Sequence, residues 1–143
     1  DLVSSRGLGD VYKRQVWFDV GSPQELIRAQ NTLIERRNEL PFPLQEGARI
    51  ENGSFIDPDA SVHERSHVQQ SVVGRHASVA EGAVLNQCVL MSGSVVGEGV
   101  QLQNCILSPN AVVKSNVYAS GVVLGDGEHL ENTTNTENEG IDF

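Results

Sequence analysis

Cysteine is nearly missing from this 143-residue chain: two occur, Cys88 and Cys105. That is too few for a disulfide scaffold, so a secreted disulfide-bonded module is not expected. Aromatic residues make up 5% of the sequence, which excludes a core built on large rings. No apolar run is long enough to span a membrane, and no secretory leader pattern occurs. Basic residues are also short: 10 Lys and Arg stand against 19 Asp and Glu, for a net charge of −9. That balance argues against nucleic acid or an anionic membrane as partner. The expectation is a cytoplasmic protein of one ordinary domain. The deficit is uneven. Asp126, Glu128, Glu131, Glu137, Glu139 and Asp142 have no Lys or Arg among them, so residues 126–143 read as an acidic, disordered tail.

Residues 1–15 are set aside. Ser5-Arg6-Gly7-Leu8-Gly9-Asp10-Val11-Tyr12-Lys13-Arg14-Gln15 reads as the translation of a transposon-derived sequencing adapter. The expectation is an artefact, with the natural sequence starting near Val16 as a fragment of a longer protein.

Val16 to Val20 is a short apolar stretch, the end of a strand, which Gly21 breaks. A helix over about 23–38 follows. Ser22 can cap it, Pro23 suits its first position and Glu25 completes a capping box. Leu26, Ile27, Ala29, Leu33 and Ile34 recur at helical spacing, and Arg36 and Arg37 suit its C-terminal end. Pro41 and Pro43 form a linker.

The period then changes. An aliphatic residue recurs at Ile50, Ile56, Val62, Val68, Val73, Val79, Leu85, Leu90, Val96, Leu102, Leu107, Val113, Ala119 and Leu124. After the first steps of six, the spacing is six, six and five. One coil is therefore 17 residues with three faces and one short corner. Two positions earlier every residue is small, from Ala48 and Ser54 to Cys88, Cys105 and Val122. A narrow triangular core needs large beside small, because packing density is fixed. Three positions earlier Gly, Asn or Asp predominates, the types that tolerate positive φ at a tight corner. Arg65, Gln70, His76 and Gln87 break that column, so strain or a different turn is expected there. Coils of this kind bury a core only by stacking. The pattern predicts a parallel β-helix over 44–125, mainly β, preceded by one α-helix.

Two features together carry a resemblance. Val16-Trp17-Phe18-Asp19-Val20-Gly21-Ser22-Pro23-Gln24-Glu25-Leu26 is similar to the W-x-D-[IV]-G-[ST]-P-x-x-[YL]-L segment of nucleotide-sugar pyrophosphorylases. In those enzymes a helix and a closing hexapeptide β-helix follow in this order. The likeness is nearest to mannose-1-phosphate guanylyltransferases and glucose-1-phosphate nucleotidyltransferases, and it covers residues 16–125. It implies a left-handed β-helix, although parallel crossovers are normally right-handed. It implies residues 16–43 as the end of a nucleotidyltransferase domain. It also implies a parent enzyme that joins a nucleoside triphosphate to a sugar 1-phosphate, releasing pyrophosphate, with Asp19 helping to hold Mg²⁺. The family's glycine-rich G-G-x-G-T-R-L loop does not occur in these residues, so the fragment alone is expected to be inactive. The β-helix is expected to serve homo-oligomerisation or regulation.

The competing reading is a hexapeptide acyltransferase that uses an acyl-CoA donor and a catalytic histidine. His63, His67 and His76 are the candidates, and all three are predicted to point outward. Their separations of 4, 9 and 13 do not match the 17-residue stacking that a metal site on successive coils needs. Cys88 and Cys105 lie one coil apart in the small-residue column, which predicts adjacent buried thiols.

Overall fold

The computed structural model describes residues 23–36 and 46–133. Among these are fifteen short strands, of which all but the first wind into a mainly β solenoid of about four turns, with one helix, α1 (Pro23–Glu35), against it. Face 1 holds β1 (Arg49–Glu51), β2 (Ser54–Ile56), β5 (Val72–Val73), β8 (Val89–Leu90), β11 (Ile106–Leu107) and β14 (Val123–Leu124). Face 2 holds β3 (Ser61–Val62), β6 (Ser78–Val79), β9 (Val95–Val96), β12 (Val112–Val113) and β15 (His129–Leu130). Face 3 holds β4 (His67–Gln69), β7 (Val84–Asn86), β10 (Gln101–Gln103) and β13 (Tyr118–Ser120).

Every pairing from β2 onward is parallel, and each partner lies 17 positions along the chain. Phe55 sits beside Val72, Val72 beside Val89, Val89 beside Ile106 and Ile106 beside Val123. The aliphatic column points inward as expected. Val73, Leu85 and Leu90 are wholly buried, and Ala77, Ala83 and Ala111 fill the space beside such residues. Each buried Val, Leu or Ile contributes roughly 1.5–3 kcal/mol before chain entropy is subtracted.

The corners follow the third column. Gly82, Gly93, Gly99 and Gly121, with Asn104, Asn110 and Asn116, all have positive φ. At Gly93 a side chain is disfavoured. Its φ is +74°, and an added Cβ would displace the Asn110 side-chain oxygen on the next coil. The four exceptions split. Gln70, His76 and Gln87 adopt φ of 48°, 61° and 55°, a conformation that costs a non-glycine residue energy. Arg65 turns differently, its amide donating to His63 Nδ1 at 3.0 Å.

Three boundaries differ from the sequence expectation. First, Ile50 does not begin the parallel stack. β1 pairs antiparallel with β2 around Asn52 and Gly53, whose φ values are 51° and 71°. Two consecutive positive φ values in a two-residue loop are the signature of the hairpin turn that Asn-Gly favours. Ile50 and Ala48 therefore pack outside the solenoid, beside α1. Second, the solenoid does not stop at 125. β15 adds a strand, and Leu130 packs on the interior. Glu128 occupies the small-residue position there, and its carboxylate turns back to accept from the Gly125 amide at 2.7 Å. Third, α1 closes at Glu35, with Arg36 in a turn whose amide still bonds to Thr32 O at 3.0 Å. The adapter-like residues, the strand end at 16–20, the Ser22 cap and the proline linker lie outside the described residues.

Face 1 carries a second core. On its outer surface Phe55, Val72, Val89 and Ile106 form an apolar row, and Leu26, Ile27 and Ile34 of α1 cover it. The spacing of those three residues puts them on one side of the helix. All seven side chains are buried. Gln30, on the same buried side, leaves its Oε1 without a hydrogen bond.

Candidate functional site

The three candidate histidines, His63, His67 and His76, are outward and exposed, and the structure does not gather all of them into one centre. His63 follows β3. Its Nδ1 accepts the Arg65 amide, which leaves Nε2 as the protonated nitrogen of the neutral ring, 3.9 Å from Glu81 Oε1. The other Glu81 oxygen meets Arg65 Nη1 at 3.4 Å. His67 stands on the outer surface of face 3. His76 occupies a corner, where it accepts from Arg75 Nε at 3.2 Å, and Arg75 also meets Asp59 at 3.5 Å. These are exposed contacts in high dielectric and contribute little to stability.

His63 and His67 do share one feature. Both line a hollow of about 150 Å³ at the start of the solenoid, floored by Ile56, Val62 and Val68. Arg49, Glu51 and Glu64 line the same hollow, so its rim carries charges of both signs. Among the described residues, no group of three His, Cys, Asp or Glu is placed to hold a metal ion. Asp19 lies outside the described residues.

Cys88 and Cys105 are buried free thiols. Their role is visible in the backbone. At the short corner before face 1, Ser54, Ser71, Cys88 and Cys105 stack in the interior, all fully buried. The Ser71 amide donates to Ser54 Oγ and the Cys88 amide to Ser71 Oγ, each at 3.0 Å. The Cys105 and Val122 backbones bond in turn to the sulfurs of Cys88 and Cys105. Each side chain thus accepts an amide from the coil above, which a buried backbone N–H requires. Burial pushes the Cys88 thiol well above its ordinary range, and its hydrogen bond with Cys105 adds to that. That same hydrogen bond from Cys88 is the main influence holding Cys105 lower. Without solvent access, the pair has none of the exposure that a reactive thiol needs. Sequence reasoning found the two thiols adjacent and missed the acceptor role; the signal was the Ser-Ser-Cys-Cys order of the column.

The remaining surface of note is face 3. Its outward row is His67, Val84, Gln101 and Tyr118, held in register by the strand pairing. The next outward row is Gln69, Asn86, Gln103 and Ser120. No Asp, Glu, Lys or Arg occurs in either row. Val84 and Tyr118 are 37% and 51% exposed. Gln87 Nε2 donates to Gln70 Oε1 along the neighbouring corner at 3.2 Å.

A stack of 17-residue coils with an outer helix and no assembled reaction centre among the described residues defines a hexapeptide-repeat β-helix module. A family model described as the GMPPB C-terminal domain matches residues 50–141, and the chain belongs to that family. No curated protein sequence matches it significantly. Solved structures that resemble it include a UDP-N-acetylglucosamine acyltransferase from Arabidopsis, at 24% identity and TM-score 0.47, over 52% of this chain and 28% of that one. The acetyltransferase domain of PglB from Neisseria gonorrhoeae matches at 18% identity and TM-score 0.42, over 88% of this chain and 70% of that one. A perosamine N-acetyltransferase from Caulobacter crescentus matches at 20% identity and TM-score 0.36, over 75% and 58%. Likeness of that size carries no functional inference. The chain thus spans just over a quarter of the first of these proteins. Among the described residues, no helix is long and apolar enough to cross a membrane.

Proposed function

We propose that this chain is the C-terminal part of a sugar-1-phosphate nucleotidyltransferase, and that its solenoid serves assembly or regulation of the parent enzyme. The observation that carries this reading is the family match over residues 50–141, which takes in all the parallel strands of the solenoid. The parent reaction joins a nucleoside triphosphate to a sugar 1-phosphate and releases pyrophosphate. Residues 16–43 form the junction to the nucleotidyltransferase domain. In that junction Asp19 offers a hard carboxylate oxygen of the kind Mg²⁺ takes alongside phosphates, and the metal would neutralise phosphate charge there. One carboxylate is not a site, so the other ligands belong to the upstream domain and the substrates.

The acyltransferase reading is weaker because the family match points elsewhere and His76 stands apart from the hollow that His63 and His67 share. The test begins with the full upstream reading frame. Pyrophosphate release from a nucleoside triphosphate and a sugar 1-phosphate, dependent on Mg²⁺ and on Asp19, is the expected result. A frame that starts just before Val16, or acetyl-CoA binding to the purified chain that is lost in His63→Ala or His67→Ala, would sink it.

A further inference from the structure

We infer that face 3 is where a second copy of this chain docks, with the two solenoids antiparallel. This rests on the assembly role proposed above and names the surface. Three observations carry it.

The first is charge. Two copies at −9 each repel, and they approach most easily through a neutral surface. The outward rows of face 3 carry no formal charge, whereas face 2 has Lys114 and Glu131 immediately after its strands β12 and β15. Face 1 is covered by α1 from Phe55 to Ile106, which leaves only Val123 of that row exposed.

The second is self-complementarity. Val84 and Tyr118 flank Gln101 in the same row, one coil below and one above. A twofold axis lying in the interface, along the β10 strand direction, sets each Tyr118 on the partner copy's Val84. Gln101 then meets its own copy, and a primary amide both donates and accepts. Such an isologous contact closes as a dimer. The alternative axis, along the solenoid, would set Tyr118 on Tyr118 and hold the rows beneath it apart.

The third is the position of the acids. Antiparallel docking sends Asp126, Glu128 and Glu131 of the two copies to opposite ends. At the rim Glu98 opposes its symmetry mate, so the association should strengthen with salt. Three rows about 4.8 Å apart present only a few hundred Å², against about 800 Å² per partner in a stable dimer. The dimer is therefore weak and reversible.

Sedimentation equilibrium of the whole 143-residue chain over a concentration series, at low and high salt, tests this. A monomer–dimer equilibrium is expected. Val84→Lys and Tyr118→Glu should each weaken it at least about tenfold. An equimolar mixture of the two variants should recover it, because the ammonium introduced on one copy then faces the carboxylate introduced on the other. Both positions are exposed, so a matched melting temperature confirms that the variants fold. Dimerisation that ignores both changes but is lost in Val95→Lys on face 2 overturns this surface while leaving assembly intact. A failed mixture overturns the antiparallel pairing. A monomer at every concentration removes the surface and the assembly role together.

Discussion

Faces 1 and 3 of the solenoid are built from the same inward pattern and differ only in what they show outside. Both place one large aliphatic residue per coil in the interior, Val73 and Leu90 on face 1, Leu85 and Leu102 on face 3. Outside, face 1 shows Phe55, Val72, Val89 and Ile106, and a helix lies on them. Face 3 shows His67, Val84, Gln101 and Tyr118, and among the described residues no helix lies on them. The inward columns therefore decide that the chain coils, and the outward ones decide what each side is for. A strand allows this separation because successive side chains point to opposite surfaces.

Substitutions at five positions break or sharpen that contrast, from the largest effect to the smallest. Val79→Asp puts an unpaired carboxylate into the shared interior. A loss of more than about 5 kcal/mol is expected, with several coils unfolding together, read by circular dichroism and hydrogen exchange. Phe55→Ala removes the largest side chain under α1 and should cost about 3–5 kcal/mol in urea unfolding. Val95→Ala on open face 2, its control, should stay within about 0.5 kcal/mol. Equal costs at these two positions would show that the helix adds nothing. Cys88→Ala leaves the Cys105 amide without its acceptor and should cost about 1–3 kcal/mol, whereas Cys88→Ser keeps an acceptor and should be nearly neutral. His76→Gly relieves a φ of 61° at an exposed corner and should raise the urea midpoint by the equivalent of about 0.5–1 kcal/mol.

Much of this was legible in the sequence, and the gaps have physical causes. A buried column repeats because every coil faces the same volume constraint, so the 17-residue period and the interior residues could be read directly. The ends do not obey that constraint. Asn52-Gly53 fits the corner column by residue type but makes a hairpin, because β1 reverses onto β2. Glu128 fails the small-residue test, yet its carboxylate turns away to the Gly125 amide. The docking of α1 on face 1 was written in the apolar row from Phe55 to Ile106, which repeats with the coils but lies outside the inward columns. The candidate site was the least legible part. Histidine spacing ruled out stacking, yet whether three exposed rings converge depends on corners that no periodicity describes.

The in-register pairing has a consequence for how such a chain can change length. Because Phe55, Val72 and Val89 are interchangeable neighbours, duplicating or deleting one whole 17-residue unit, such as 89–105, leaves every remaining pair matched. A change of any other size turns inward residues outward along everything that follows. Growth in this architecture is quantised, and the protein is a ruler whose divisions are set by the short corner.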